Sequence, residues 1–399
     1  MKIIYAHDNI YYEGKDGLYS AGQFSYSYWH VYLEAFGTLT VLGRKSPQKA
    51  TKNMERSDGK GVSIKTFLNM NSLSGQLIHK KDIVKALERE MAEADGVIIR
   101  AMSEIGWEIY KLARKHNLPI VHELSGCPWD NTWNHGSLSA KLYAPLRYLR
   151  ARKVARTADQ VLYVTRDFLP KRYPATGQTV IASNVRISKP PKSVLDKRLK
   201  RIKDVFDTQD TPLRFGLIGH LDHKLKGIDI AIEAFAEFLK STQQDASLHI
   251  LGPGVPAPYE ELAQKLGISK HVFFDGTLKG GDPVLKWLDE IDIYLQPSYH
   301  EGLPRALIEA MSRGALALAS TAGGIAELLP EGFLHKPGDK RKLAQDMVAM
   351  TSSPLETLQN KATANFKTAQ NYTNDILAPK RAKFWSDFAK RVKKYMKAS

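Results

Sequence analysis

A single cysteine, Cys127, stands in a chain of 399 residues. That excludes an intramolecular disulfide framework and a cysteine-rich zinc site. No run of about 18 apolar residues occurs, so nothing reads as a membrane-spanning helix. The first strand pattern opens at Lys2-Ile3-Ile4-Tyr5-Ala6 and leaves no room for a signal peptide. A cytoplasmic, reducing setting is therefore expected, with the inner face of the plasma membrane as a peripheral station. Internal repeats and low-complexity tracts are absent. So are helix-turn-helix, zinc-finger and RNP-like patterns, which argues against specific nucleic-acid binding. What is present is ordinary globular composition, 43% hydrophobic and 25% charged. The length suits two domains of roughly 150–200 residues each.

Acidic residues are scarce in three places. The chain carries 58 Lys and Arg against 42 Asp and Glu, a formal charge of +16. Residues 141–156 hold six basic and no acidic side chains. Residues 186–203 and 379–399 each hold eight basic side chains and one acidic, Asp196 and Asp387. Surfaces of this kind suit an anionic partner such as a phospholipid headgroup, a phosphorylated substrate or nucleic acid, or they are solvated helix faces.

Short apolar runs alternate with helical patterns. Strands are expected at 2–6, 38–42, 97–100, 119–122, 160–164, 179–182, 213–219, 247–251, 271–274, 292–296 and 315–319. Helices are expected between them, among others at 23–36, 80–93, 104–116, 136–157, 227–240, 258–266 and 303–313. Strand, crossover helix, strand is the signature of an open parallel sheet, and this many strands call for two sheets. The boundary falls near 184–212, which contains Pro190-Pro191 and no good strand. Residues 339–399 read as helices only. Phe384, Phe388, Val392 and Met396 recur every four residues there, an amphipathic stripe for packing on a domain or lying on a membrane surface.

The strongest chemical signal is Tyr299-His300-Glu301-Gly302-Leu303-Pro304-Arg305-Ala306-Leu307-Ile308-Glu309-Ala310-Met311. It follows the strand at 292–296 and so sits at a strand's carboxyl end, where open α/β sheets bind ligands. Pro304 suits a helix's first turn, and the free N–H groups of a helix start suit a phosphate. Glu301 and Glu309 lie within roughly 80° of one another on a helix and about 12 Å apart. They are too distant to act as a close pair on one bond but suited to hold hydroxyls at opposite ends of a long polar ligand. A second strand-to-helix turn, Gly219-His220-Leu221-Asp222-His223-Lys224-Leu225-Lys226-Gly227, offers cations for a diphosphate. A third, Thr321-Ala322-Gly323-Gly324-Ile325-Ala326-Glu327, permits close backbone approach, and Glu327 would accept ribose hydroxyls or cap a local helix. In the first half His122 ends a strand, followed by Glu123. The loop after the first strand holds Gly14, Gly17 and Gly22 among aromatics, suited to an anion or a sugar ring.

Together these clusters resemble a retaining glycosyltransferase of family 4 with the GT-B fold: two Rossmann-like α/β domains with parallel sheets facing across a cleft, followed by C-terminal helices. The resemblance spans nearly the whole chain and is strongest over 213–330. There Gly-x-Leu…Lys-Gly, Leu-His-Ile-Leu-Gly-Pro-Gly, Val-Phe-Phe-Asp-Gly, Asp-Ile-Tyr-Leu-Gln-Pro-Ser, Glu-x7-Glu-Ala-Met and Gly-Gly-Ile-Ala-Glu follow in order. It implies an acceptor-binding domain at 1–184, a nucleotide-sugar-binding domain at 185–365 and an amphipathic basic helix at 366–399. It also implies Glu301 near the donor sugar hydroxyls and Glu309 near the ribose. Gly302, Leu303 and Pro304 would line the sugar and diphosphate, and Lys226 and His220 would sit at the diphosphate. Gly252 and Gly17 would lie at the donor, His122 would reach the transferred sugar, and Asn184 would mark the hinge. Two positions depart from the family pattern. His220 stands where arginine is usual, and histidine is charged only near or below about pH 6.5 when unperturbed. Gly14-Lys15-Asp16-Gly17 replaces a tighter Gly-Gly loop.

The expected reaction is transfer of a sugar from a UDP- or GDP-linked donor to a hydroxyl acceptor, with the anomeric configuration retained. The acceptor would be a cell-surface glycan, lipid-linked saccharide or polymer. No cofactor or metal is expected; Lys226, backbone N–H groups and a helix dipole would meet the charge on the leaving phosphate. The basic stretches suggest peripheral contact with an anionic membrane. A GT-B-fold epimerase and a catalytically weak subunit of a complex are the alternatives.

Overall fold

In a computed structural model the structure describes residues 1–398 apart from Gln23, 72–74, Ala101, His135, Gln209, Asp210 and Gln243. The start of the helix expected at 23–36 and two residues of the boundary stretch 184–212 thus lie outside the described residues. The strands are β1 (Ile3–Glu13), β2 (Leu18–Ser20), β3 (Leu39–Lys49), β4 (Glu55–Arg56), β5 (Val62–Phe67), β6 (Gly96–Arg100), β7 (Ile120–Leu124), β8 (Gln160–Tyr163), β9 (Gln178–Ile181), β10 (Leu213–Ile218), β11 (Ala246–Leu251), β12 (Val272–Phe274), β13 (Ile293–Gln296), β14 (Leu316–Ser320) and β15 (Leu334–His335). The helices are α1 (His30–Phe36), α2 (Lys80–Met91), α3 (Glu104–Lys115), α4 (Pro128–Trp133), α5 (Leu138–Thr157), α6 (Phe168–Arg172), α7 (Lys192–Thr208), α8 (Ile228–Ser241), α9 (Ala257–Lys265), α10 (Asp282–Asp289), α11 (Arg305–Ser312), α12 (Lys340–Thr351), α13 (Leu355–Gln370) and α14 (Asn374–Ala398). The chain divides into two units, one of Met1–Val164, Leu169–Ala182 and Ala378–Ser399, the other of Thr165–Phe168 and Ser183–Leu377.

The second unit is a doubly wound sheet. Its six strands run β12-β11-β10-β13-β14-β15, and every pairing is parallel. The strand order reverses between β10 and β13, so the loops leaving those two strands flank a topological switch point, where such sheets bind ligands. Both strands are apolar because helices cover both faces. On α8, Ile228, Ala231, Phe235 and Phe238 recur at helical spacing and are fully buried, with Phe235 and Phe238 packing edge-on against Phe215 of β10. Each buried phenyl contributes about 2–3 kcal/mol of transfer free energy.

The first unit repeats the plan with a longer sheet. The parallel path is β5-β3-β1-β6-β7-β8-β9, and β2 and β4 add antiparallel strands beyond the end of β1. Strand β1 runs well past the expected 2–6. A bulge after Ala6 lets it continue beside β3 to Glu13, and it returns through Gly14–Gly17 into β2. Strand β7 likewise continues through Glu123 to Leu124. Glu123 tolerates full burial because Tyr5 and Tyr32 each donate to Oε2 at 3.0 Å and Arg100 donates to Oε1 at 3.3 Å.

The chain returns to the first unit through α14. Phe384, Trp385, Phe388 and Val392 are fully buried there. Trp385 packs on Tyr32, with ring centroids 4.8 Å apart, and Val392 and Phe388 cover Gly96 so closely that a Cβ at Gly96 would meet Val392 at 2.9 Å. The apolar stripe of the last helix is therefore core, and only Met396 at its end is exposed. Among the described residues no helix is long and apolar enough to cross a membrane.

Candidate active site

Strand β13 delivers Tyr294 and Gln296 on one face, two residues apart, and Ser298 continues the alternation. All three are buried and polar, two in the strand and Ser298 just past its end. Tyr294 donates to Gln296 Oε1 at 3.2 Å, and the Gln296 amide donates to Ser298 Oγ at 2.8 Å. Gln296 and Ser298 then both donate to Glu301 Oε1, at 3.0 and 2.8 Å. From the loop after β10, Lys226 Nζ donates to the same oxygen at 2.6 Å. One carboxylate oxygen of a nearly buried glutamate thus takes three bonds, and Oε2 takes none among the described residues. The result is a fixed carboxylate with one oxygen available to a ligand hydroxyl, beside a cation from the other loop of the switch point.

Backbone contacts seat both loops. A Cβ at Gly227, where φ is +66°, would lie 2.2 Å from Pro297 O. Tyr299 N–H donates to Leu225 O at 2.9 Å. Gly323, at φ +60°, would place a Cβ 2.1 Å from Glu301 O, and Gly324 N–H donates to Gly302 O at 2.7 Å. Only glycine fits these approaches. Gly252, at the end of β11, similarly leaves no room for a Cβ, which would fall 1.8 Å from Gly219 O.

Helix α11 opens directly after Pro304 with no side-chain cap, so its first N–H groups and positive dipole end remain available. Leu303 and Pro304 are buried and Gly302 is partly exposed. One turn on, Glu309 is half-buried, and its carboxyl is held above the usual range by burial, with Arg305 opposing. It has no hydrogen-bond or ion-pair partner among the described residues. Tyr294, whose own pKa is pushed up by burial, feels the charge of both Glu301 and Glu309.

His220 lies on the β10 loop, half exposed. Its Nδ1 accepts from Asp222 N–H at 3.3 Å, and its ring stacks on His223 at 4.8 Å. Glu327 caps a helix. Its Oε2 accepts from Arg166 N–H at 2.6 Å, and its Oε1 accepts from Asp167 and Phe168 N–H at 3.0 and 2.8 Å, at the start of α6.

In the first unit, His122 is fully buried in mid-strand with both ring nitrogens lacking partners, and burial pushes its pKa down to about 3. It is a neutral imidazole. Gly17 closes the β1–β2 hairpin, where its carbonyl accepts from Gly14 N–H at 2.9 Å, and a Cβ there would meet the Asp58 carboxylate at 2.4 Å. It therefore sits in a four-residue hairpin turn among Arg56, Asp58 and Asp16 rather than in a glycine loop at the end of a short strand. Asn184 lies in the loop after β9. Sequence reasoning passed over the Tyr294–Gln296–Ser298 support; polar residues alternating on one face of a buried strand were the signal.

Two Rossmann-like parallel-sheet domains, one carrying a cation, a fixed carboxylate and an uncapped helix start at its switch point, define the GT-B class of fold. The profile of "Glycosyl transferases group 1" matches residues 212–353, the unit that carries this site. Protein CapJ of Staphylococcus aureus is 30% identical over 347 residues, 86% of this chain and 85% of CapJ. The lipopolysaccharide glucosyltransferase WaaG of Escherichia coli is 30% identical over 139 residues, 34% of this chain and 36% of WaaG. A solved WaaG structure superposes with a TM-score of 0.63 at 14% identity, covering 98% of this chain and 99% of that one. Anabaena HepE, solved in complex with UDP-glucose, superposes with a TM-score of 0.59 at 16% identity over the full length of both chains. The chain belongs to the group 1 glycosyltransferases.

Proposed function

We propose that this glycosyltransferase is of the retaining, family 4 type and moves a sugar from a nucleoside-diphosphate sugar to a hydroxyl acceptor of the cell envelope, without a metal. The observation that carries the reading is the Lys226–Glu301 pair at the switch point of the second unit. Oε2 of Glu301 accepts a hydroxyl of the donor sugar, and the Glu309 carboxylate accepts from the ribose. As the bond to the diphosphate breaks and the acceptor oxygen bonds the anomeric carbon, charge builds on the leaving phosphate, which takes up the acceptor hydroxyl's proton. Lys226, the N–H groups at the start of α11 and its dipole stabilise that charge. The donor competes with Glu301 for Lys226, so donor binding loosens the 2.6 Å pair. HepE was solved with UDP-glucose and WaaG is a lipopolysaccharide glucosyltransferase, which supports a nucleotide-sugar donor and an envelope acceptor.

A thermal-shift screen with UDP-, GDP-, ADP- and TDP-sugars tests the reading, since a ligand that binds the folded state raises its melting temperature with concentration. One of the four series stabilises the protein, with or without EDTA. NMR of the product then reports the anomeric configuration. No shift with any donor sinks the proposal, and a new sugar nucleotide formed without acceptor makes the protein an epimerase.

A further inference from the structure

The first unit has a switch point of its own. Strand β1 pairs with β3 on one side and β6 on the other, and the later strands run outward from each, β3 to β5 and β6 to β9. The last β1–β6 pair is Ala6 with Ile99. Beyond it β1 passes through its bulge and continues beside β3 without β6. Open α/β sheets bind ligands where strands part in this way at their carboxyl ends.

Asp8 lies in the bulge, with its side chain 28% exposed. Arg44 of β3 donates to its Oδ1 at 2.9 Å and to its carbonyl oxygen at 3.1 and 3.2 Å. The Asn71 amide donates to Oδ1 at 3.1 Å and to Oδ2 at 2.9 Å. Oδ2 takes nothing else among the described residues, so it keeps an acceptor position open. Burial holds the Asp8 carboxyl above the usual range, with Arg44 opposing, and Arg147 and Glu104 also act on its charge.

Helix α5 reaches this edge through its arginines. It leaves Leu138, Leu142, Leu146 and Leu149 exposed and turns Arg147 and Arg150 inward. Arg150 donates to Glu104 Oε1 at 2.8 Å, at the start of α3. Arg147 donates to Met102 O, in the loop leaving β6, from Nε at 2.9 Å and from Nη2, and to Thr132 Oγ1 from Nη1 at 3.2 Å. A guanidinium has five N–H groups, so one remains on each terminal nitrogen. Such a fork grips a carboxylate or a phosphate. Arg44 is matched by Asp8 and Arg150 by Glu104, whereas Arg147 bonds only uncharged oxygens and has no acidic partner among the described residues. A half-buried cation without a counter-charge favours an anion from outside.

We propose that this recess binds the acceptor and selects a saccharide that bears an anionic group, the fork of Arg147 taking the anion and Asp8 Oδ2 accepting from a ring hydroxyl. A uronate carboxylate and a sugar phosphate share this chemistry. The inference rests on the glycosyl-transfer reading, whose acceptor it names by class, but saccharide binding is measured without a donor.

Saturation-transfer NMR titrations of the full chain with methyl glucuronide, glucose 6-phosphate and methyl glucoside test it. At least one anionic probe binds about tenfold or more tighter than the glucoside. The tighter of the two tells whether the natural anion is a carboxylate or a phosphate. Arg147→Gln lowers affinity for that probe about tenfold and changes the glucoside less than about twofold. Arg147→Lys restores part of the preference, because an ammonium offers charge without the fork. Asp8→Asn weakens the glucoside, whose hydroxyl loses a charged acceptor. Arg147 also holds the Met102 loop, so circular dichroism and melting temperature establish first that the variants fold, and the wild-type preference needs no variant. A glucoside bound as tightly as both anionic probes overturns the proposal, as does an anionic preference that survives in folded Arg147→Gln. So does the absence of binding by every probe at tens of millimolar. Donor binding is read separately by thermal shift. A donor that binds without any anionic preference defeats this inference alone; an anionic preference without any bound donor leaves a saccharide site and defeats the transferase reading.

Discussion

Lys226 and Glu301, 75 residues apart in sequence, meet at 2.6 Å across the switch point of the second sheet. Glu301 does not depend on Lys226 for its position, because Gln296 and Ser298 hold the same oxygen. Removing the lysine therefore takes away a charge without collapsing the site. Lys226→Ala is expected to lower turnover about 10²–10³-fold, as loss of a single stabilising donor does elsewhere. Stability should change by less than about 1 kcal/mol, since the lysine is one-third exposed and its pair is screened. Glu301→Gln should also lower turnover while leaving the fold intact. Steady-state kinetics beside urea denaturation check both, and an unchanged rate in Lys226→Ala would remove the diphosphate role.

His220 occupies the place where the family pattern has arginine. In the structure it is half exposed, held by Asp222 N–H and stacked on His223. His220→Arg supplies a permanent, forked cation beside Lys226. Donor affinity should rise several-fold, because a guanidinium offers two parallel donors to a diphosphate. Calorimetry with the nucleotide sugar found in the screen measures it; a fall in affinity would show that the loop is built around the imidazole stack.

Two buried histidines set an acid limit on stability. Burial pushes His122 down to about 3 and His335 to about 4, and neither ring has a partner in the described structure. Their unfolded-state value is near 6.5. The folded state therefore binds fewer protons than the unfolded state below that pH, so stability is full above about 6.5 and falls as pH drops toward 4 and 3. At pH 5 each histidine should cost roughly 2 kcal/mol relative to pH 7. Urea midpoints across that window check this, and His122→Phe should flatten the slope if the larger ring is accommodated.

Most parallel strands were legible because a buried strand is an apolar run ending at Gly, Asn or Asp. Strands β2, β4, β5 and β15 were not; β2, β4 and β15 have two or three residues and leave no periodicity to read, and β5 alternates buried Val62 and Ile64 with exposed Ser63 and Lys65 instead of running apolar. The switch-point glycines and Glu301 were visible from the ordered pattern over 213–330, but their bonding was not. The three donors converging on Glu301 Oε1 come from two loops and a strand, and only folding brings them together. The same holds for Glu123, whose partners Tyr5 and Arg100 lie 118 and 23 residues away. The exposure of the α5 leucines was hidden for a related reason. A helix apolar on both faces does not say which face is core until Arg147 and Arg150 find their partners.

Glu327 offers the sharpest separation of a structural role from a binding one. The sequence turn allows it to accept ribose hydroxyls or to cap a helix, and the structure gives it three backbone N–H donors at the start of α6. A carboxylate has about four acceptor positions, so three are already taken. Glu327→Ala leaves those donors without their acceptor and should cost about 1–2 kcal/mol, as loss of an N-cap does. Glu327→Gln, which keeps one acceptor oxygen, should cost less. Nucleotide-sugar affinity in both variants should stay within about twofold once measured well below the lowered melting temperature, because the ribose is assigned to Glu309. An affinity loss of tenfold or more with an unchanged urea midpoint would reverse the assignment and put Glu327 at the ribose.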